Sequence, residues 1–114
     1  MLASELPVYK DTYDLVSMLI DYVNVFPKAY KHNIGSKIIS ESLELFESLQ
    51  LANRCYGNSE ARSKHLDNFL IKFELLKVLL RLCNDKKIIS IKQTAQLALF
   101  YEKIGKQVNG WKNS

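Results

Sequence analysis

Apolar residues recur along the chain at intervals of three and four, which is the period of an amphipathic helix. The pattern falls into stretches separated by residues that end or begin helices. It predicts helices at about residues 8–26, 33–55, 59–85 and 90–109. The connections between them are short, so consecutive helices are expected to pack side by side and antiparallel. The predicted fold is therefore all-α, an antiparallel up-down-up-down four-helix bundle that forms one domain over residues 1–114.

Several residues at the predicted helix ends support these boundaries. Pro27 cannot continue the first helix, because proline lacks the backbone N–H that a helix interior needs. Asn33 is expected to cap the second helix by accepting hydrogen bonds from N–H groups two or three residues on, and Gly57 suits the positive φ of a C-terminal cap. Ser90 and Gln93 have the spacing of a capping box, which predicts the start of the fourth helix.

The third predicted helix has the widest apolar surface. Its core positions are Leu66, Phe69, Phe73, Leu76, Leu80 and Cys83. A second row lies to one side of these positions and consists of Leu75, Leu79 and Leu82. A helix with that much apolar width usually buries two faces. The second row is therefore predicted to be an oligomer interface.

Composition agrees with a helical protein inside the cell. Four glycines and two prolines in 114 residues are too few for the frequent turns of an all-β fold. The two cysteines, Cys55 and Cys83, are far from the density of a secreted disulfide scaffold and are interpreted as reduced thiols. The first residues lack the pattern of a signal peptide, and no window is apolar enough to span a membrane. A cytoplasmic location is expected.

Residues that perform catalysis or bind metals do not form a recognisable pattern. His32 and His65 lie in different segments, and neither has a metal-ligand partner one helical turn away. Glu41, Glu44 and Glu47 share a helical face but lack the histidines of a di-metal site, so a solvated acidic face is favoured. Cys83 occupies a core position, which favours packing over nucleophilic chemistry. The sequence predicts a protein that is not an enzyme and has no metal or cofactor.

Charge is distributed unevenly along the chain, whose net charge is +4. The first two predicted helices carry −2 and −1, whereas the segments 59–89 and 90–114 carry +3 each. Such segregation can orient subunits, with an acidic face of one copy on a basic face of the next, or can present cations to phosphates. Solvated charges without a partner remain the alternative. The candidate nucleic-acid-binding residues are Lys28, Lys31, Lys37, Lys72, Lys77 and Arg81.

The order of several short motifs resembles a known family. The chain contains LPVYKDTYDL, then FPK, a glycine at the second helix, a leucine-rich third helix and a terminal NGW. This order is similar to that of the accessory variability determinant (Avd) proteins of diversity-generating retroelements, which are small four-helix bundles. The resemblance runs from about Leu6 to Lys112. A looser similarity is to the four-helix proteins encoded in intervening sequences of bacterial 23S rRNA genes, although their Ile-Pro-Ala-Asn-like stretch is absent here.

The resemblance to the Avd family implies a function. It implies a homopentameric, barrel-like assembly with a basic surface that binds nucleic acid, either RNA or an RNA–DNA hybrid. It also implies a partnership with a retroelement reverse transcriptase, in which the chain supports mutagenic cDNA synthesis without being the polymerase. The looser similarity leaves a second hypothesis, a structural or RNA-interaction protein of the rRNA-intervening-sequence kind with an unknown role.

Overall fold

The computed structural model describes residues 2–114, and the described chain is helical with short connections. A 3₁₀ turn at Ala3–Glu5 precedes five α-helices: α1 (Pro7–Asn24), α2 (Lys28–Lys31), α3 (Ile34–Arg54), α4 (Ser59–Asp85) and α5 (Ile91–Lys112). The molecule measures 46 × 23 × 21 Å, so its long dimension follows the 27-residue α4. The all-α prediction is confirmed, and α2 is an additional element.

The four long helices bury one continuous hydrophobic core. The most extensive contact joins α3 to α4. Helix α1 packs against α3, α5 packs against α4, and α1 and α5 pack against each other. The large side chains at the centre of the core are Leu15, Leu19, Ile38, Leu45, Leu49, Leu66, Phe69, Phe73, Leu76, Leu80, Leu97 and Ile104. Every predicted core position of the third helix is buried, because the 3.5-residue spacing places those side chains on one side of α4. None of the described helices is long and apolar enough to cross a membrane.

The predicted helix caps form, with one difference in detail. The Gln93 N–H donates to Ser90 Oγ at 3.0 Å, and the Ser90 N–H donates to Gln93 Oε1 at 2.8 Å, which completes the capping box. Asn33 caps α3 but accepts from the N–H of Ile34, the adjacent residue, at 2.6 Å. Gly57 adopts φ +78° in the turn after α3, as predicted from its lack of a side chain.

The junction between α1 and α3 differs from the prediction, because α1 ends at Asn24 and the four residues of α2 form a turn of helix before α3. Gly35 makes this close junction possible. A Cβ atom at Gly35 would lie 2.9 Å from Val23 Cγ1 and 3.3 Å from the Tyr30 carbonyl oxygen. The missing side chain therefore lets the first turn of α3 contact the end of α1 directly.

The last helix is longer than predicted, since α5 continues through Gly110 to Lys112 instead of ending near residue 109. Trp111 is half-buried and packs against the core. The Lys112 ammonium lies 2.5 Å from an Asp67 carboxylate oxygen on α4. These contacts to neighbouring helices stabilise a final turn that local sequence signals do not favour.

Candidate nucleic-acid and oligomer interfaces

The predicted cations at the first junction lie in two different environments. Lys28 and Lys31 begin and end the short helix α2, and neither forms an ion pair within the described residues. Lys37 lies in α3, where its ammonium is 2.9 Å from Glu41 Oε1. The junction therefore presents two uncompensated cations and one that is neutralised by its own helix.

Lys72 forms an ion-pair network between α4 and α3. Its ammonium donates to Glu44 Oε2 at 2.9 Å and lies 3.9 Å from Glu41 Oε2. The hydrogen bond between them lowers the pKa of Glu44 and raises the pKa of Lys72. Glu41 is buried, so the prediction of a solvated acidic face is wrong for this residue. Its carboxylate tolerates burial because Lys37 and Lys72 flank it.

Two further predicted cations of α4, Lys77 and Arg81, differ in whether a carboxylate of the chain pairs with them. Lys77 is half-buried, with its ammonium 2.9 Å from Glu74 Oε1 and 5.0 Å and 5.6 Å from the ring centroids of Phe73 and Tyr101. These contacts fix Lys77 against the α4–α5 interface. Arg81 is exposed and forms no ion pair in residues 2–114. Of the six predicted cations, Lys28, Lys31 and Arg81 are therefore the ones free to meet an external anion.

The structure brings additional lysines to the end of the bundle where Lys28 and Lys31 lie. The Tyr22 hydroxyl near the end of α1 donates to Gln96 Oε1 near the start of α5 at 2.8 Å, so the α1–α3 and α4–α5 connections occupy the same end. We call this cationic surface the basic end; its residues are Lys28, Lys31, Lys86, Lys87 and Lys92. Sequence analysis missed the last three. The predicted antiparallel packing could have identified these lysines, because it places the α1–α3 and α4–α5 connections at the same end of the bundle.

Lys87 of the basic end has an unfavourable backbone conformation. It is the second residue after α4, and its φ is +61°, in the left-handed region where glycine is usual. The Lys87 N–H donates to the Asn84 carbonyl at 3.0 Å and the Ile88 N–H donates to the Cys83 carbonyl at 2.8 Å, which is the Schellman arrangement. A non-glycine residue costs about 1–2 kcal/mol in this conformation. A lysine thus occupies a position where helix termination alone favours glycine.

An exposed apolar row runs along α4 on the side opposite the core. We call it the outer stripe; it consists of Ile71, Leu75, Val78 and Leu82, with exposed fractions of 67%, 38%, 62% and 43%. The spacing of four, three and four places these side chains on one face. Of the predicted interface residues, Leu75 and Leu82 belong to the outer stripe, whereas Leu79 is half-buried and packs against the core. Ile71 and Val78 were missed, although they continue the same spacing.

A known protein family matches the chain that forms these helices and surfaces. The sequence profile of the family described as bAvd-like matches residues 7–114, which is nearly the whole chain. The chain belongs to the bAvd-like family. The match confirms the resemblance to the Avd family that was based on motif order. Comparison with curated proteins finds no match, and comparison with solved structures finds none either.

The bAvd-like chain also has an apolar groove between α1 and α3. Tyr13, Val16 and Ile20 of α1 face Leu43 and Phe46 of α3 around a space of about 220 Å³. Tyr13 and Leu43 are 60% and 49% exposed. The groove is therefore an apolar surface that no other part of the described chain covers, on the two helices with net negative charge.

The thiols and imidazoles of this bAvd-like chain do not lie close together in the sequence. Burial raises the pKa of the Cys83 thiol to about 11, which keeps it protonated at neutral pH. Cys55 is half-buried at the end of α3. His32 is exposed in the turn between α2 and α3, and His65 is half-buried in α4. Within residues 2–114, no three or more His, Cys, Asp or Glu side chains group as a metal site.

Proposed function

We propose that this chain is a non-enzymatic, oligomeric nucleic-acid-binding accessory protein. In this proposal it partners the reverse transcriptase of a diversity-generating retroelement in the cytoplasm and supports mutagenic cDNA synthesis. The observation that carries the proposal is the bAvd-like family match over residues 7–114. The basic end and the outer stripe support two parts of it separately, nucleic-acid binding and self-association.

The proposed architecture is an up-down-up-down bundle, and contacts between the first and last helices support it. Asp11, near the start of α1, accepts from Gln107 near the end of α5 at 2.6 Å. Tyr22, near the end of α1, bonds to Gln96 near the start of α5. The two helices therefore run in opposite directions, as alternation along the chain requires.

The basic end is the proposed contact for the phosphate backbone of RNA or of an RNA–DNA hybrid. Its cations have no carboxylate partners in the described chain, so they are available to displace counterions from phosphates. Lys87 supports this role, because a lysine occupies a position at which glycine would relieve backbone strain. By contrast, Lys37, Lys72 and Lys77 are proposed to act mainly in packing the bundle.

Fluorescence anisotropy with labelled mixed-sequence RNA tests this contact. Affinity is expected to fall as salt rises, and the double variant Lys86→Glu/Lys87→Glu is expected to bind more weakly and with a shallower salt dependence. The matched control is Lys10→Glu/Lys106→Glu, which changes net charge by the same amount at exposed positions elsewhere. Equal loss in both double variants would contradict a contact localised at the basic end.

The outer stripe is the proposed oligomer interface, and the α1–α3 groove of a second copy is its proposed partner surface. The stripe lies on α4, whose segment carries net charge +3, whereas the groove lies on helices with net charges of −2 and −1. Opposite charges on two different faces favour a head-to-tail contact, and repeated head-to-tail contacts that close form a ring. The homopentamer expected for this family is an assembly of that type.

Light scattering tests the assembly. The protein is expected to be an oligomer at micromolar concentration, and Val78→Asp is expected to produce smaller species, since it places a carboxylate in the middle of the stripe. Ile91→Asp is the control, because Ile91 is 83% exposed at the start of α5, outside the stripe. A wild-type monomer would overturn the oligomer proposal, and an intact oligomer of Val78→Asp would overturn the assignment of the interface.

A further inference from the structure

A cleft lies at the other end of the bundle from the basic end. It lies where α3 ends, α4 begins and α5 ends, and its volume is about 390 Å³. Its lining includes Leu6, Ala52, Cys55, Tyr56, Arg62 and Trp111, and we call it the Trp111 cleft. Binding sites for small molecules typically measure about 300–1,000 Å³, so the volume of this cleft is near the lower end of that range and suits one small molecule.

Arg62 has unused hydrogen-bonding capacity in this cleft. Its Nη2 donates to the carbonyl oxygen and the Oγ of Ser114 at 3.1 and 3.4 Å. Its Nε atom is buried and has no acceptor in the described chain. A buried donor without a partner costs free energy, and a guanidinium is best matched by an anion that offers several oxygens. Because Nε has almost no accessible surface, an anion in the cleft would meet the guanidinium through its Nη groups, whose fork of donors suits a group with several oxygens.

Two aromatic residues line the same cleft. Trp111 is half-buried in it, whereas Tyr56 is 97% exposed on the turn between α3 and α4. Packing does not account for the exposed Tyr56 ring, so that ring is free to stack on a planar group. An arginine beside aromatic rings is the combination that binds the phosphate and the base of an unpaired nucleotide.

The charges near the cleft are mixed, because Glu5 and Glu60 are exposed carboxylates close in sequence to its lining residues. Arg54 and Lys64 are exposed, adjoin the lining residues in sequence and form no ion pair in residues 2–114. Asp67, on the same part of α4, is neutralised by Lys112. A strand whose phosphates continue beyond the cleft would therefore meet further cations on either side.

We propose that the Trp111 cleft binds one unpaired nucleotide of single-stranded RNA or DNA. Arg62 contacts its phosphate and Tyr56 stacks on its base. The proposal rests on the nucleic-acid binding proposed above and adds a second contact, which recognises unpaired bases at the opposite end of the bundle from the lysines.

Trp111 is the single tryptophan of the chain, so its fluorescence reports directly on the cleft. The experiment titrates the full protein with a uridine tetranucleotide, uridine monophosphate, uridine and inorganic phosphate. Quenching is expected with the tetranucleotide and, more weakly, with the monophosphate, and less with uridine or phosphate alone. Quenching by phosphate as strongly as by the nucleotide would overturn the base-stacking assignment, because it would indicate a simple anion site open equally to a phosphopeptide.

Variants separate the cleft from the rest of the molecule. Tyr56→Ala removes an exposed ring and leaves the core intact, and it is expected to weaken tetranucleotide binding about five-fold or more. Leu99→Ala, which removes another exposed apolar side chain outside the cleft, is the control and is expected to bind as wild type. Arg62→Gln is expected to abolish the advantage of the monophosphate over uridine.

The anisotropy assay with long RNA distinguishes binding at the basic end from binding in the Trp111 cleft. Long RNA that binds wild type in a salt-dependent way, while the tetranucleotide leaves Trp111 fluorescence unchanged, would overturn the cleft proposal and leave the basic end standing. Failure of both RNA lengths to bind would overturn nucleic-acid binding altogether. Loss of tetranucleotide binding in Tyr56→Ala with retained binding in Leu99→Ala would support the cleft.

Discussion

Replacing Lys87 with glycine is expected to maintain or raise the stability of the protein while weakening its binding to RNA. This replacement relieves the left-handed conformation at φ +61° but removes a charge from the basic end. The same change at Lys86, where φ is −84°, removes an equivalent charge without relieving strain. Both variants add the backbone entropy cost of glycine, about 0.5–1 kcal/mol. The difference between their free energies of unfolding should therefore equal the left-handed cost of about 1–2 kcal/mol.

Urea denaturation followed by far-UV circular dichroism measures this difference, at one fixed protein concentration because an oligomer's stability depends on it. Lys87→Gly is expected to be as stable as wild type or more stable, and Lys86→Gly less stable. Both are expected to bind RNA more weakly, since each loses one cation of the basic end. Lys87→Ala completes the design by removing the charge while keeping the strain. Equal stability of the two glycine variants would refute the reasoning from backbone conformation.

Three further predictions concern packing, pH and thiol chemistry. Gly35→Ala is expected to destabilise the protein relative to Gly105→Ala in the same urea assay, because a Cβ at Gly35 meets neighbours at 2.9–3.4 Å and one at Gly105 meets none within 4 Å. The hydrogen bond from Lys72 lowers the pKa of Glu44. The free energy that this pair contributes to folding is therefore complete above the ordinary carboxyl pKa and is lost as pH falls through the lowered pKa. In a plot of unfolding free energy against pH, Glu44→Gln is expected to flatten that region. The raised pKa and burial of Cys83 predict that a thiol reagent labels Cys55 in the native protein and both cysteines only after unfolding, which mass spectrometry can count.

Local signals in the sequence were sufficient for most of the fold. The α4 core row follows from a fixed spacing, and the Ser90–Gln93 capping box joins residues three apart. Gly57 was identifiable because positive φ favours a residue without a side chain. Each of these features depends on neighbours within about one helical turn, so a single sequence contains the information.

The candidate interfaces depend on contacts between helices, and here the sequence was less informative. Lys72 lies 28 residues from Glu44, its partner, and Lys77 lies against the Tyr101 ring of another helix. Charge counting therefore treated both as free cations. The lysines at residues 86, 87 and 92 were counted as charges, but only the packing of α1 against α5 places them beside α2. The extension of α5 depends likewise on Trp111, whose contacts are made with other helices.

The function proposed for this bAvd-like protein is support of reverse transcription through nucleic-acid binding. The most direct test is template-dependent cDNA synthesis by the reverse transcriptase of a diversity-generating retroelement, with that retroelement's template repeat RNA, in the presence and absence of the purified chain. We expect cDNA to accumulate with the wild-type chain, and much less with Lys86→Glu/Lys87→Glu or without the chain. Equal cDNA yield in all three reactions would contradict it.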